Sequence, residues 1–250
     1  MSKYRLKVFL TQTILVIIFL SIWEILSRTN VINGFIFSSP SKIFTTLLSL
    51  IKNGDLFIHL GVTFLEVLIA FAIGVIIAFL ISIIMYLNRF LKDVIDPFLT
   101  MLNSLPKVAL GPIIIIWAGA NSKSIIVMAL LINVIVSIIT FYTGFISTNK
   151  EQIKLFKTFK ASRMQILTKL VIPANIPTIV SALKVNISLT FIGVIMGEFL
   201  VSKRGIGYLI LYGTQVFNLN LVMTGIFVLL IMSYLIYKLV VKFEKKIIWF

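Results

Sequence analysis

Six long apolar blocks separated by short polar stretches organise the chain, at residues 8–26, 60–87, 94–118, 124–146, 176–200 and 221–241. Each is near or above the about 20 residues that carry a helix across a hydrocarbon core. They are continuously apolar instead of alternating, which excludes membrane β-strands. The expected fold is therefore all-α, a polytopic membrane bundle of about six transmembrane helices forming a single domain over residues 1–250. The first block follows a basic start (Lys3, Arg5, Lys7) but is too long for a signal-peptide core, so a retained first helix is expected. The third block differs from the others. Pro106 and Pro112 interrupt it, with Asn103, Ser104 and Lys107 beside the break, and proline removes a backbone donor and disfavours helix in the residue before it.

Two polar segments are long. Residues 27–59 contain Ser38-Ser39-Pro40-Ser41 ahead of a periodic run (Ile43, Leu47, Leu48, Leu50, Ile51), which reads as a capped amphipathic helix on the membrane surface. Residues 147–175 are strongly basic yet keep helical spacing in Ile153, Phe156, Phe159, Ile166, Leu167, Leu170 and Val171, with Pro173 and Pro177 near the end.

Composition agrees with a membrane solvent. The chain is 60% hydrophobic and 12% charged, against about 25% charged in soluble domains. Its net charge of +15 does not indicate nucleic acid, because the cations fall between the apolar blocks instead of along one face. They are unevenly shared. An arrangement with both termini cytoplasmic puts fifteen Lys and Arg inside, including Arg89, Lys92, Lys150, Lys154, Lys157, Lys160, Arg163 and Lys169. Six lie outside: Arg28, Lys42, Lys52, Lys123, Lys203 and Arg204. The positive-inside rule selects that orientation in the cell membrane.

Chemistry is mostly excluded. There is no cysteine, one histidine (His59), no phosphate-cradling G-x-x-x-x-G-K-[ST] loop and no G-x-S-x-G elbow, so no catalytic residue and no metal site are expected. The ionisable residues within the blocks are Glu66, Lys107, Lys184 and Glu198. Charge at such depth faces a cavity or a partner, or snorkels to an interface. Asn103, Ser104, Pro106, Lys107 and Glu198 are the candidate pathway residues. For Lys107 the competing reading is a structural pair with Glu66 or Glu198.

The order of landmarks carries a resemblance. Residues 154–173 are similar to the cytoplasmic loop of binding-protein-dependent ABC importer permeases, E-A-A-x3-G-x9-I-x-L-P. Lys160 stands at the glycine, Ile172-Pro173 at the closing Leu-Pro, and Lys154-Leu155-Phe156 replace Glu-Ala-Ala. Phe37-Ser38-Ser39-Pro40-Ser41-Lys42, Asp96-Pro97-Phe98, Leu105-Pro106, Gly197-Glu198 and Gly205-Ile206-Gly207-Tyr208-Leu209-Ile210 resemble segments of the nitrate/sulfonate/taurine-type permeases, in the same order.

The resemblance implies a permease subunit, not an enzyme, that carries a sulfonate, nitrate, taurine or pyrimidine precursor. ATP is bound by a separate ATPase subunit, so the chain itself needs no cofactor. An extracytoplasmic solute-binding protein and a second copy, forming a homodimer in the lipid bilayer, complete the expected assembly. The coupling loop, with Phe159, Lys160, Ala161, Ser162 and Pro173, is expected to dock on the ATPase, Ala161 against the partner. Two other classes stay open: a secondary transporter, which calls for paired broken helices, and a membrane anchor without transport.

Overall fold

In the computed structural model, which describes residues 3–248 and the side chains of 4–242, the apolar blocks fold as helices. In hydrocarbon each backbone polar group must be satisfied within its own segment. In chain order they are α1 (Lys3–Arg28), α2 (Pro40–Lys52), α3 (Asp55–Leu87), α4 (Arg89–Ser104), a 3-10 turn (Lys107–Leu110), α5 (Gly111–Ala118) and α6 (Ser122–Ile146). There follow α7 (Lys150–Thr158), α8 (Arg163–Ile166), a π turn (Leu167–Val171), α9 (Ile172–Ala174), α10 (Ile176–Val201), α11 (Ile206–Gln215) and α12 (Leu219–Ile248). The side chains of the tail cations Lys245 and Lys246 lie outside the described residues.

Among the described residues five helices are long and apolar enough to cross a membrane alone: α1, α3, α6, α10 and α12. The third apolar block is the exception. Its two halves meet at a 90° bend, where Leu105 takes extended geometry after the end of α4. The missing donor of Pro106 is the local reason. Pro97, by contrast, sits inside α4 without ending it.

The centre of the bundle is the packing of α3, α6 and α10. Small residues let the backbones close. A Cβ added at Gly193 would come within 2.4 Å of the Ala129 Cα, and one at Gly197 within 2.9 Å of the Ile125 Cα. Gly193 and Gly197 thus form a G-x-x-x-G contact on α10, the arrangement that brings membrane helices into close van der Waals range. Buried polar side chains tie the same helices together. Asn133 on α6 donates to Thr190 on α10 at 2.8 Å, and Ser82 on α3 donates to the Ile138 carbonyl on α6 at 3.1 Å.

α1 stands apart. None of its most apolar stretch is buried, against half of that of α6. It is held through Glu24, whose carboxylate accepts from the Ser41 N–H at 3.0 Å, the Ser41 hydroxyl at 2.8 Å and Arg28 Nε at 2.6 Å. The serine-rich approach to α2 therefore has a structural task. Ser39 is the N-cap of α2, and a carboxylate at a helix N-terminus also meets the positive end of the helix dipole.

Candidate functional site

The basic loop between α6 and α10 folds back as two short helices, α7 and α8. Ser162 caps α8: its hydroxyl accepts from the Gln165 N–H, while the Gln165 side chain accepts from the Ser162 N–H at 2.7 Å. The turn between the helices closes on two backbone bonds, Lys160 N–H to Lys157 O at 2.9 Å and Ala161 N–H to Phe156 O at 3.1 Å. These are the paired bonds of a Schellman motif, which places Lys160 at the left-handed position that glycine usually occupies. Lys160 has φ +55°. The glycine of the resembling pattern thus answers a real backbone demand, and this chain meets it with a strained lysine.

Packing decides which loop residues point where, and it differs from the expectation in one respect. Ile153, Phe156 and Ala161 turn inward onto the core cluster formed by Met85, Phe141, Phe145 and Ile166. Ala161 is therefore partly buried against the chain's own bundle. Left outward are Leu155 (54% exposed), Phe159 (76%) and Met164 (55%). Periodicity alone marks such an apolar stripe but does not say which side of it is covered; Leu155 and Met164 were missed for that reason. Pro173 is exposed near the start of α10. Arg163 fastens α8 to the bundle by donating from Nη1 to the Leu87 carbonyl at 3.1 Å, at the end of α3. Beside it lies a cavity of about 320 Å³ lined by Tyr86, Arg89, Ile153, Lys157, Arg163 and Ile166.

The broken segment presents its polar groups at the surface. Asn103, Ser104 and Pro106 are exposed and Lys107 is half-buried. Lys107 Nζ donates to the Asn103 carbonyl at 3.0 Å, a cation closing the negative end of α4. Among the described residues no ion pair joins Lys107 to Glu66 or Glu198, so the pairing reading is corrected in favour of a cap. Around the break Met101, Leu105, Val108, Ile116 and Trp117 are also exposed. A polar strip flanked by uncovered apolar side chains results.

Glu198 lies elsewhere. It is fully buried at the far end of the bundle from α7 and α8, where α3, α10 and the start of α11 meet. Its Oε1 accepts the Thr63 hydroxyl at 2.6 Å and its Oε2 accepts the Gly207 N–H at 2.5 Å. Thr63 in turn receives the Ile206 N–H at 2.8 Å, and His59 Nδ1 receives the Gly205 N–H at 3.0 Å. Glycine is required here twice over. Gly205 has φ +107°, and a Cβ on it would stand 2.3 Å from Glu198 Oε1; one on Gly207 would stand 2.7 Å from Oε2. The Gly-Glu and Gly-Ile-Gly segments are thus two halves of one joint. The structure brings Glu198 together with Thr63, not with Asn103, Ser104 or Lys107.

Known proteins are similar to this chain in sequence and in fold. The family model described as "Binding-protein-dependent transport system inner membrane component" matches residues 70–248. A probable ABC transporter permease protein of Haemophilus influenzae is 27% identical over 93% of this chain and 94% of its own length. The formylaminopyrimidine transport permease protein ThiX of Halalkalibacterium halodurans is 28% identical over 80% of this chain and 79% of its own. A putative aliphatic sulfonates transport permease protein of Bacillus subtilis is 24% identical over 92% and 84%. Among solved structures, the MetNI methionine ABC transporter in an inward-facing conformation aligns with a TM-score of 0.66 over 74% of this chain and 92% of that chain, at 18% identity, a likeness of fold.

Proposed function

The chain belongs to the family of binding-protein-dependent transport system inner membrane components, and we infer that it works as one of two identical permease subunits in an ATP-driven importer. The ATPase is a separate polypeptide that binds the ATP; this chain holds no cofactor. Both termini face the cytoplasm, as the distribution of Lys and Arg favours, so α7 and α8 lie at the cytoplasmic surface. Leu155, Phe159 and Met164 fill a groove of the ATPase, ringed by Lys154, Lys157 and Lys160. That exposed trio on an otherwise solvated basic loop is the observation that carries the reading, since large uncovered apolar side chains at a polar surface mark an interaction site.

On the opposite face the solute-binding protein docks on residues 27–59 and 201–220. The second copy covers α1, whose apolar stretch its own chain leaves unburied, and the exposed side chains around the break. The pathway then runs between the copies along Asn103, Ser104 and Lys107. Non-helical backbone at membrane depth is tolerated where protein or a water-filled cavity meets it. Relatives named for sulfonates and formylaminopyrimidine support a small polar solute of the sulfonate, nitrate, taurine or pyrimidine-precursor class.

Co-expression of the tagged chain with the ATPase of its own transport system tests the reading. The ATPase co-purifies in detergent, and solute-loaded binding protein raises its ATP hydrolysis. A chain that carries solute into vesicles with no ATPase bound would instead be a secondary transporter.

A further inference from the structure

Glu66 sits on α3 one turn from Thr63, with 4% of its surface exposed. Neither of its carboxylate oxygens has a hydrogen-bond donor among the described residues. Facing it are the Ser122 side chain at the start of α6 and the Glu198 carboxyl of α10. The other titratable groups at this joint are engaged elsewhere. His59 accepts from Gly205, and Asp55 and Arg204 act on His59. No ion pair among the described residues reaches either glutamate.

Two ionised carboxylates side by side in a bundle interior repel each other and have both left water, with no ion pair among the described residues to offset either loss. Their surroundings are unequal. Glu198 accepts one donor on each oxygen and stands at the N-terminus of α11, a setting built for an anion. Neither Glu66 oxygen has a donor at ordinary hydrogen-bond geometry among the described residues, with only the Ser122 hydroxyl nearby, and a buried polar group in a native fold finds a partner. A hydrogen on Glu66 directed at Glu198 removes both anomalies together. A proton also needs no added room beside Glu198, where the backbones of Gly205 and Gly207 already close in.

We propose that Glu66 and Glu198 form a proton-binding site, one proton shared between them with Glu66 as donor, that locks α3 to α10 and α11. Releasing the proton leaves two facing charges in the joint and loosens α11 from α3. The lock does not depend on the identity of the solute or on the ATPase.

Thermal unfolding of the full-length chain in detergent, from about pH 6 to about pH 9, tests it against Glu66→Gln. The folded wild type holds one proton more than the unfolded chain, in which both glutamates are ionised. Its stability therefore falls as pH rises through release, the unfolding constant gaining up to about tenfold per pH unit over that range. Glu66→Gln donates the same hydrogen bond from an amide with no proton to lose, so it matches the wild type at the acid end and lacks that dependence. Equal pH dependence in both proteins overturns the proposal. So does rescue of wild-type stability at alkaline pH by added sodium, which assigns the site to a metal cation. Infrared spectra of the wild type give an answer should Glu66→Gln fail to fold. The carbonyl stretch of a protonated buried carboxyl is present at neutral pH and vanishes on alkaline titration, and its absence at neutral pH refutes the assignment.

Discussion

Thr63 and Glu198, 135 positions apart in sequence, meet through a hydrogen bond of 2.6 Å in which the threonine hydroxyl donates. The Thr63 oxygen also receives the Ile206 N–H, so one small side chain joins α3 to α10 and to the first turn of α11. Thr63→Val keeps the shape and removes both bonds. A hydrogen bond to a charged group is worth about 1.5–3 kcal/mol, and the variant should melt several degrees lower in detergent while Thr63→Ser stays near the wild type. Unchanged melting in Thr63→Val would show the joint to be dispensable.

The outward face of the loop should behave differently from its inward face. Phe159→Asp puts a charge where the ATPase is proposed to pack; ATPase co-purification should drop more than tenfold, with the isolated chain melting normally. Ala161→Asp instead drives a carboxylate toward the chain's own core, where an unpaired charge costs several kcal/mol, and the isolated chain itself should melt lower. Identical effects of the two variants would remove the distinction.

Lys160 occupies a left-handed position at φ +55°. Glycine adopts that geometry without the Cβ penalty, so Lys160→Gly should stabilise the chain by up to about 1 kcal/mol, read as a higher melting temperature. Lys160→Val, branched at Cβ, should lower it. Should glycine leave the melt unchanged, the strain at this turn is absent.

Lys107 separates transport from folding. Lys107→Met retains length and apolar bulk but loses both the charge and the bond to the Asn103 carbonyl. Losing a half-buried cap of this kind costs about 1–2 kcal/mol at most, so the complex should assemble. Uptake of an anionic solute should fall strongly, measured in vesicles with ATPase and binding protein present. Wild-type uptake would exclude a pathway role.

Orientation is open to direct labelling, because the chain has no cysteine of its own. Asn53 ends α2 and Asn149 caps α7, both at exposed positions. With both termini inside, a membrane-impermeant thiol reagent should label Asn53→Cys in intact cells and miss Asn149→Cys. The reverse pattern would invert the topology.

The amino-acid sequence by itself determined whatever depends on neighbours along the chain. Continuous apolar blocks specify helices in lipid, Pro106 breaks the third, and the serines ahead of α2 cap it, because backbone satisfaction is settled within a few residues. The Lys160 turn was also legible, as a lysine where the resembling pattern has glycine. What only the tertiary structure decided depends on which helix faces which. Ile153, Phe156, Phe159 and Met164 are alike as apolar side chains; contact with Met85 and Phe145 covers the first two and leaves the others outside. Lys107 could have paired with a glutamate, but the bend turned it toward the end of its own helix. Glu66 and Glu198 read as candidate partners of Lys107, since no local pattern reveals that close packing of α3, α6 and α10 encloses the two carboxyls together, with close donors on Glu198 and none at that distance on Glu66.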